Sequence, residues 1–238
     1  MLALEQDLAE LPWQDLVRRF WGGKERVFVS LIPNIGWAGR SYRDVESFPK
    51  RKGNKSDLSS EAEFSEFRRE IQCDLNPQTT PIGSTAVYLG HGKSENDFTT
   101  IKTGAGLLGR DAWLDVGAYR TVIIHSCSAG RLAGGFLGDF GGVPALALAT
   151  GCRLVCAPVT EVPLHTARTL HRHHVSKNGP LEFGHRYMQA LAEDPWVGVY
   201  TCYGFGNQFV TDPNRTSISA QSRTTPLPLS APPARGNA

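Results

Sequence analysis

The sequence has 238 residues, a formal net charge of +2 and a hydrophobic content of 40%, which is enough apolar material for one folded domain with a sizeable core. Its basic residues are scattered, so the chain lacks the clustered positive charge typical of nucleic-acid binding. Five cysteines at uneven spacing argue against a disulfide framework. With no signal-peptide-like start and no apolar run approaching about 18 residues, we expect a cytoplasmic protein that does not enter a membrane.

The N-terminal part is predicted to be a helical and irregular extension, residues 1–80, that supplies the first strand of the sheet. Apolar residues recur at near-helical spacing over 4–20, which predicts one or two amphipathic helices. A β-rich run follows at 26–32, and 33–57 has the Gly, Ser, Pro and Lys content of irregular structure. Residues 59–71 begin with serines and acids that resemble a capping box, so this segment is predicted to be helical.

The middle of the chain alternates strands and helices. Four apolar runs of strand length show little polar alternation, which indicates strands buried on both faces; they lie at 84–90, 120–126, 153–159 and 197–204. Helical segments between them are predicted at 131–149, 163–176 and 180–193. The pattern predicts an α/β fold with a doubly wound, mainly parallel central sheet flanked by helices, within a core of 81–210. The Ser-, Thr- and Pro-rich residues 211–238 are predicted to form a disordered tail.

Two glycine motifs resemble nucleotide-binding loops, but the residues around each motif argue against nucleotide binding. Gly92-Lys93-Ser94 ends like a Walker A loop, but the position that must hold the first glycine is Val87, inside a strand. Residues 104–109 match G-x-G-x-x-G, yet only about ten residues separate them from the next strand, too few for a crossover helix. No acidic residue stands where a ribose ligand is expected. We therefore interpret the glycines of 104–109 as shaping a small excursion of the chain before a turn at RDAWLD, residues 110–115.

A histidine and a cysteine follow two successive strands of the predicted sheet. His91 follows the run 84–90, and Cys127 follows the run 120–126. Because the carboxyl ends of parallel strands meet at one edge of a sheet, we expect both side chains at that edge. A free thiol has a pKa of about 8.5, and a nearby imidazole can take its proton, which is the pairing that thiol proteolysis needs. The backbone N–H groups of Cys127 and Gly92 are the natural donors to an oxyanion.

The order of motifs along 84–204 resembles the caspase-like cysteine peptidases of clan CD. A strand ending in His-Gly precedes a strand ending in Ser-Cys-x-x-Gly, and then come Gly-Asp before a helix, an Ala-x-Gly-Cys turn, an Asn-Gly-Pro break and Pro-Trp before the last strand. This layout is most similar to the CHAT branch. The resemblance implies a caspase-like fold with His91 as general acid and base and Cys127 as nucleophile. It also implies Gly92 as an oxyanion donor, Asp139 as a substrate-binding acid, and neither a metal nor a cofactor.

The sequence also departs from the patterns of these families. Residues 126–130 read SCSAG rather than the caspase signature Q-A-C-[RQG]-G, and the histidine lies closer to the cysteine than in caspases. His125 stands where related metacaspases have an aspartate, so a preference for basic residues is not implied. Asp115 and Glu161 are alternatives to Asp139 as acids lining a substrate pocket. No tetratricopeptide repeat, often joined to CHAT domains, is visible.

The resemblance implies an intracellular cysteine endopeptidase that cleaves a protein target through a Cys127–His91 dyad. Family associations suggest bacterial stress or defence signalling, in which a regulatory protein partner arranges the loops around 93–119. Neither nucleic acid nor a membrane is expected as a direct partner. The alternative is a catalytically silent CHAT-like module that binds a partner as a scaffold.

Two further polar clusters are interpreted as structural. Cys152 and Cys156 lie four residues apart, which puts them on one face of a strand, where they pack rather than bind metal. The histidine-rich helix is interpreted as a solvated face rather than a zinc site, because no cysteine or acid stands at a suitable spacing. Its histidines are His165, His171, His173 and His174.

Overall fold

The computed structural model describes the central part of the chain. The described residues are 31, 53–75, 85–95, 98–113, 116, 119–132, 142–174 and 183–204. The predicted helices of 4–20 and the predicted tail 211–238 lie outside these residues, as do Asp115 and Asp139. Of the helices within the described ranges, none combines the length and the apolar character needed to cross a membrane.

Within these ranges the chain forms eight strands and four α-helices. In chain order they are β1 Lys55–Leu58, α1 Ser65–Asp74, β2 Thr85–Leu89, β3 His91–Glu95, β4 Phe98–Thr103, β5 Gly106–Leu108, β6 Thr121–His125, α2 Val143–Ala149, β7 Leu154–Pro158, α3 Leu164–His174, α4 Phe183–Glu193 and β8 Tyr200–Gly204. Short 3-10 helices lie at Ala62–Phe64, Arg110–Trp113 and Pro195–Val199. The last of these explains why β8 begins later than the predicted strand 197–204.

The central sheet has five strands in the order β1-β2-β6-β7-β8. The pairs β1–β2, β2–β6 and β6–β7 are parallel, and only β7–β8 is antiparallel. Leu31, from the predicted strand 26–32, makes an isolated parallel bridge with Tyr203 of β8. The prediction of a mainly parallel α/β sheet is therefore confirmed. The consequence for function is that β1, β2, β6 and β7 all end at the same edge.

The core is divided by the sheet into two apolar clusters. Successive side chains of a strand point to opposite faces, and in β2 Ala86 and Tyr88 join one cluster while Val87 and Leu89 join the other. Helix α2 packs on the first cluster, and α1, α3 and α4 supply apolar residues to the second. Burial on both faces accounts for the continuous apolar runs in the sequence.

A second, three-stranded antiparallel sheet follows β2 directly, in the order β3-β4-β5. The sequence predicted only loops here, because the strands are short and polar and turn back on one another within a few residues. Residues 104–105 of the glycine motif form the turn between β4 and β5, and residues 106–108 form β5, so the motif belongs to a short hairpin before the 3-10 helix Arg110–Trp113. Gly106 has φ of +118°, a conformation that glycine adopts without steric cost. The amide of Gly104 donates to Leu58 O at 2.9 Å and so attaches this sheet to β1.

Two predictions for the segment before β2 are wrong. Residues 55–57 were expected to be irregular but, together with the buried Leu58, they form β1 (sequence KSDL), whose three polar residues are exposed or half-buried, as suits a short strand at the sheet edge. The following α-helix begins at Ser65 rather than at 59, and its N-cap residue Phe64 makes no side-chain cap. Ser59 instead continues the strand, because its amide donates to Leu89 O at 2.7 Å.

The interpretation of the histidine-rich helix as a solvated face is also wrong. His171 and His174 of α3 are buried, with 1% and 3% exposure, because this face of the helix packs on α1 and α4. His171 Nε2 lies 3.3 Å from Asp74 Oδ2, an acid that is close in space and distant in sequence.

The two cysteines around β7 lie on opposite faces of the sheet rather than on one. Cys152 precedes the strand and belongs to the first apolar cluster, whereas Cys156 belongs to the second. Both cysteines are buried, in agreement with a packing role.

Candidate active site

The predicted nucleophile and base follow two neighbouring parallel strands. Leu89, the last residue of β2, pairs with His125, the last residue of β6. The pairing continues beyond both strands, since the amide of Gly90 donates to His125 O at 3.3 Å. His91 comes next along one chain segment and Cys127 lies two residues past β6. The structure therefore brings both to the same end of the same strand pair.

Gly92 packs directly against the backbone of Cys127. A Cβ placed on Gly92 would lie 2.0 Å from the carbonyl oxygen of Cys127 and 2.8 Å from Ser126 Oγ. Real Cβ atoms do not approach so closely, so only glycine allows the start of β3 to lie against the turn after β6. The two predicted site segments are thus in van der Waals contact.

The turn that carries Cys127 is constrained by hydrogen bonds on its far side. Ser128 has φ of +59°, and no other non-glycine residue in the described ranges has a positive φ. The amides of Ser128 and Gly130 donate to Thr160 O at 3.1 Å and Pro158 O at 2.8 Å, at the end of β7. Among the described residues, no backbone hydrogen bond at this turn uses the amide of Cys127. That N–H is therefore available as a hydrogen-bond donor.

The small sheet is fastened to the same turn. Thr99 Oγ1 of β4 donates to Ser128 O at 3.0 Å, and Ser94 Oγ of β3 lies 3.1 Å from Thr99 Oγ1. These bonds hold the β3–β4 hairpin, and with it His91, against the turn after β6 that carries the predicted nucleophile Cys127, here called the nucleophile turn. Backbone in a sparsely populated conformation persists only where surrounding contacts define it, and here those contacts come from both β4 and β7.

His91 lies beside two carboxylates that the sequence did not reveal as site residues. Its Nε2 is 2.7 Å from Glu61 Oε2 and 2.5 Å from Glu63 Oε1. Its ring packs edge-on against Phe64, with the ring centroids 5.1 Å apart. Lys102 Nζ lies 2.8 Å from Glu61 Oε1, and this hydrogen bond lowers the pKa of Glu61 from its usual value. A neutral imidazole that donates Nε2–H to a carboxylate at this position has Nδ1 as its proton acceptor.

The two acids were missed because β1 was missed. Glu61 and Glu63 follow the end of β1, and β1 lies next to β2 in the sheet. A signal was present in the acids that follow KSDL, but it has meaning only once KSDL is recognised as a strand parallel to 84–90. The segment was interpreted instead as the first turn of a helix.

His125, at the position of the metacaspase aspartate, is inaccessible to substrate. Its side chain is buried among Phe67, His171 and Tyr200, and its Nδ1 lies 2.9 Å from Tyr200 Oη. Burial, followed by the neighbouring His171 and His174, holds the pKa of His125 well below its usual value. Burial raises the pKa of Tyr200. His125 is therefore a neutral, buried group whose contacts fix the end of β6.

The predicted substrate-binding acids differ in what the structure describes. Asp139 and Asp115 lie outside the described residues, so their assignment stays a prediction. Glu161 is exposed and follows Thr160, whose carbonyl accepts the amide of Ser128. Of the three acids, Glu161 is the one that the described structure brings beside the nucleophile turn.

Comparison with known proteins supports the fold. No family model matches the sequence, and no curated protein matches it. Among solved structures, the chain is similar to two crystal structures of the Saccharomyces cerevisiae separase–securin complex, at 2.6 and 3.0 Å resolution. The TM-score is 0.55 in both, with 14% and 13% sequence identity over 82% and 84% of this chain. The chain spans 15% of the length of the chain that it matches. Separase is a caspase-like cysteine peptidase of clan CD, and the likeness shows that this chain has the caspase-like fold.

Proposed function

We propose that this chain is a caspase-like cysteine endopeptidase of the CHAT branch in which Cys127 and His91 form the catalytic dyad. The observation that carries the proposal is the contact of Gly92 with the Cys127 backbone, which joins two short motifs 36 positions apart in the sequence. Both side chains also reach solvent, because His91 is 54% exposed and Cys127 is partly exposed. A buried cysteine and a buried histidine would serve packing instead.

The chemistry follows from the arrangement of His91. With its Nε2–H directed at the carboxylates, Nδ1 takes the proton from Cys127 Sγ, and the thiolate attacks the substrate carbonyl carbon. The amides of Cys127 and Gly92 donate to the oxyanion that forms, and each such donor contributes about 3 kcal/mol of transition-state stabilisation. His91 then gives its proton to the leaving amine and activates the water that hydrolyses the acyl-enzyme.

The carboxylates act as positioning residues for this histidine. Glu61 is less exposed than Glu63, 32% against 56%, and Lys102 fixes its other oxygen. It is therefore the better-oriented acceptor for Nε2–H. An anion at this location also stabilises the imidazolium that forms when His91 accepts the thiol proton.

The biological role belongs to the same proposal. We infer a cytoplasmic enzyme that cleaves a protein target and is activated by a protein partner, in bacterial stress or defence signalling. The CHAT-like order of motifs supports this role, and the presence of a protein partner, securin, in the separase complexes is consistent with regulation by another chain. Asp139 or Glu161 would provide the acid of the substrate pocket.

A digest of a peptide library tests the enzyme against the scaffold alternative. We expect the wild-type protein to cleave a subset of peptides, and we expect Cys127→Ala and His91→Ala to cleave none. A thiol-directed electrophile should modify Cys127, with mapping by mass spectrometry. Cys73→Ala is the matched control, because Cys73 is an exposed cysteine outside the site and its removal should leave cleavage intact. Failure of the wild type to cleave, together with failure of Cys127 to react, would favour the scaffold.

A further inference from the structure

Three side chains that can bind a metal ion lie close together at the candidate active site. The proposed dyad needs only one carboxylate to orient His91, and two are present. Glu61, Glu63 and His91 each offer one ligand atom, and these atoms lie within 4.8 Å of one another. A neutral imidazole carries one proton, so Nε2–H can be donated fully to only one of the two carboxylates. Lys102 compensates one negative charge through Glu61 Oε1 and leaves Oε2 directed at His91. One negative charge is therefore left over around a nitrogen that is itself a metal ligand.

We propose that Glu61, Glu63 and His91 bind a zinc ion and that this ion switches the dyad off. The binding half stands on the geometry alone, and the switching half rests on the proposed peptidase function. No zinc is needed for the peptidase chemistry, so the ion acts as an inhibitor rather than as a cofactor.

The donor set fits zinc better than the hard cations. Zinc takes imidazole nitrogen and carboxylate oxygen at about 2.0–2.2 Å in tetrahedral sites, and three protein ligands with one open position form a common arrangement. Calcium and magnesium prefer oxygen ligands alone. Such bond lengths separate the ligand atoms by roughly 3.3 Å, so Glu61 Oε2 and Glu63 Oε1 must each withdraw from Nε2 by less than 1 Å. Both side chains are partly exposed and can do so by rotation.

Inhibition follows from the tautomer of His91. Without metal, the proton is on Nε2, where the carboxylates accept it, and Nδ1 carries the lone pair that receives the Cys127 proton. Zinc binds through the Nε2 lone pair, so the single proton of the neutral ring moves to Nδ1. An Nδ1 that already carries a proton donates and cannot accept. The same ring thus changes from a base to a donor, with no change in its total number of protons.

The binding half is tested in a protein that lacks the two accessible thiols. We would titrate Cys73→Ala/Cys127→Ala protein with zinc chloride by calorimetry and with cobalt(II) by visible absorption. We expect one site with a tetrahedral cobalt spectrum free of thiolate charge-transfer bands. The Glu61→Gln/Glu63→Gln exchange should weaken it at least about 100-fold, since even an outer-shell change typically costs 10- to 100-fold.

The matched control is Glu66→Gln/Glu70→Gln, which removes two nearby glutamates that pair with Arg168 instead of a histidine. It should leave zinc affinity unchanged. Zinc binding that is absent, or that is equally strong in both double variants, would overturn the site.

The switching half is tested on cleavage by the wild type. Zinc should inhibit cleavage, and a chelator should restore it. Glu61→Gln/Glu63→Gln should resist zinc relative to its own metal-free rate. Equal zinc sensitivity in this variant would place the inhibitory ion on Cys127 itself and overturn the switch. Because calorimetry needs no activity, a protein that binds zinc at this cluster but cleaves nothing would refute the peptidase and keep the metal site.

Discussion

Replacing Gly92 by alanine should abolish the proposed peptidase activity while leaving most of the protein's stability intact. The added methyl would meet Cys127 O at 2.0 Å and Ser126 Oγ at 2.8 Å. Contacts below about 3.0 Å between such atoms are not tolerated, so β3 and the nucleophile turn must separate by about 1 Å. The serine hydroxyl can rotate away, but the carbonyl belongs to backbone that the bonds to Thr160 and Pro158 hold.

The expected loss of catalytic rate follows from this displacement of about 1 Å. A misplacement of about 1 Å between reacting groups can cost about 100-fold in rate, and loss of the oxyanion donor at this position costs about 100- to 1,000-fold. The stability cost of overpacking is about 1–3 kcal/mol. We therefore expect kcat/KM to fall by at least about 100-fold, while urea denaturation still reports a folded protein.

Gly109→Ala provides the control, because no atom lies within 4 Å of its added methyl. It should retain wild-type cleavage and stability. The assay is kcat/KM on a peptide from the library digest, combined with the rate at which an electrophile labels Cys127. If Gly92→Ala cleaved as fast as Gly109→Ala while Cys127→Ala was inactive, the contact between β3 and the nucleophile turn would play no part in catalysis.

Three further predictions concern groups around this contact. Glu61→Ala should lower kcat/KM by about 10- to 100-fold by releasing His91, whereas Glu66→Ala should leave it unchanged; equal rates would exclude a positioning role for Glu61. Tyr200→Phe should lower the free energy of unfolding by about 1–3 kcal/mol, because buried Nδ1 of His125 loses its partner; an unchanged urea midpoint would contradict the bond. Acid should unfold the protein partly through His174, because burial lowers its pKa from 6.5 to about 3. The unfolded chain binds this proton below about pH 6.5 and the folded chain does not, so stability falls by about 1.4 kcal/mol per pH unit between those values. His174→Leu should flatten that slope, and an unaltered slope in denaturation from pH 7 to 4.5 would refute the assignment.

The central sheet could be predicted because its strands are buried on both faces. The run 120–126 has the β-branched residues Thr-Val-Ile-Ile at its centre, and β6 forms there with Val122, Ile123 and Ile124 fully buried. A strand that is buried on both faces has a continuous apolar run, which is easy to detect in the sequence. It also fixes the order of strand ends, which is why His91 and Cys127 could be assigned to one edge before their contacts were known.

The edge strand and the small sheet could not be predicted for the opposite reason. β1 and β3 are short and polar, and their backbone hydrogen bonds, rather than apolar side chains, define them. Sequence patterns report side-chain burial, and a strand that buries little leaves no periodicity to detect. Because β1 was not predicted, the carboxylates next to His91, which follow β1, were not predicted as site residues either.

The same reasoning explains the error at the histidine-rich helix. A run of histidines and arginines is polar in composition, so it predicted a solvated face. In the structure the arginines Arg168 and Arg172 are at the surface, paired with Glu70 and Glu193, while His171 faces the core. The His171 ring packs edge-on against Phe67, and its Nε2 lies 3.3 Å from Asp74 Oδ2, two contacts that composition alone does not reveal.

The order of the strands in the sheet determines which residues of the candidate site are neighbours. Proceeding from β1 to β7, the groups after each strand are the carboxylates, then His91, then Cys127, then Glu161. Each group therefore follows a strand adjacent to the strand that precedes the next group, and the two carboxylates at Nε2 of His91 follow β1, on the side of β2 away from β6. In the proposed dyad, carboxylates at Nε2 of His91 would stabilise the imidazolium that forms when the ring accepts the thiol proton. A parallel sheet provides this order without any long loop, since sequential strand ends at one edge are spaced by about 4.8 Å.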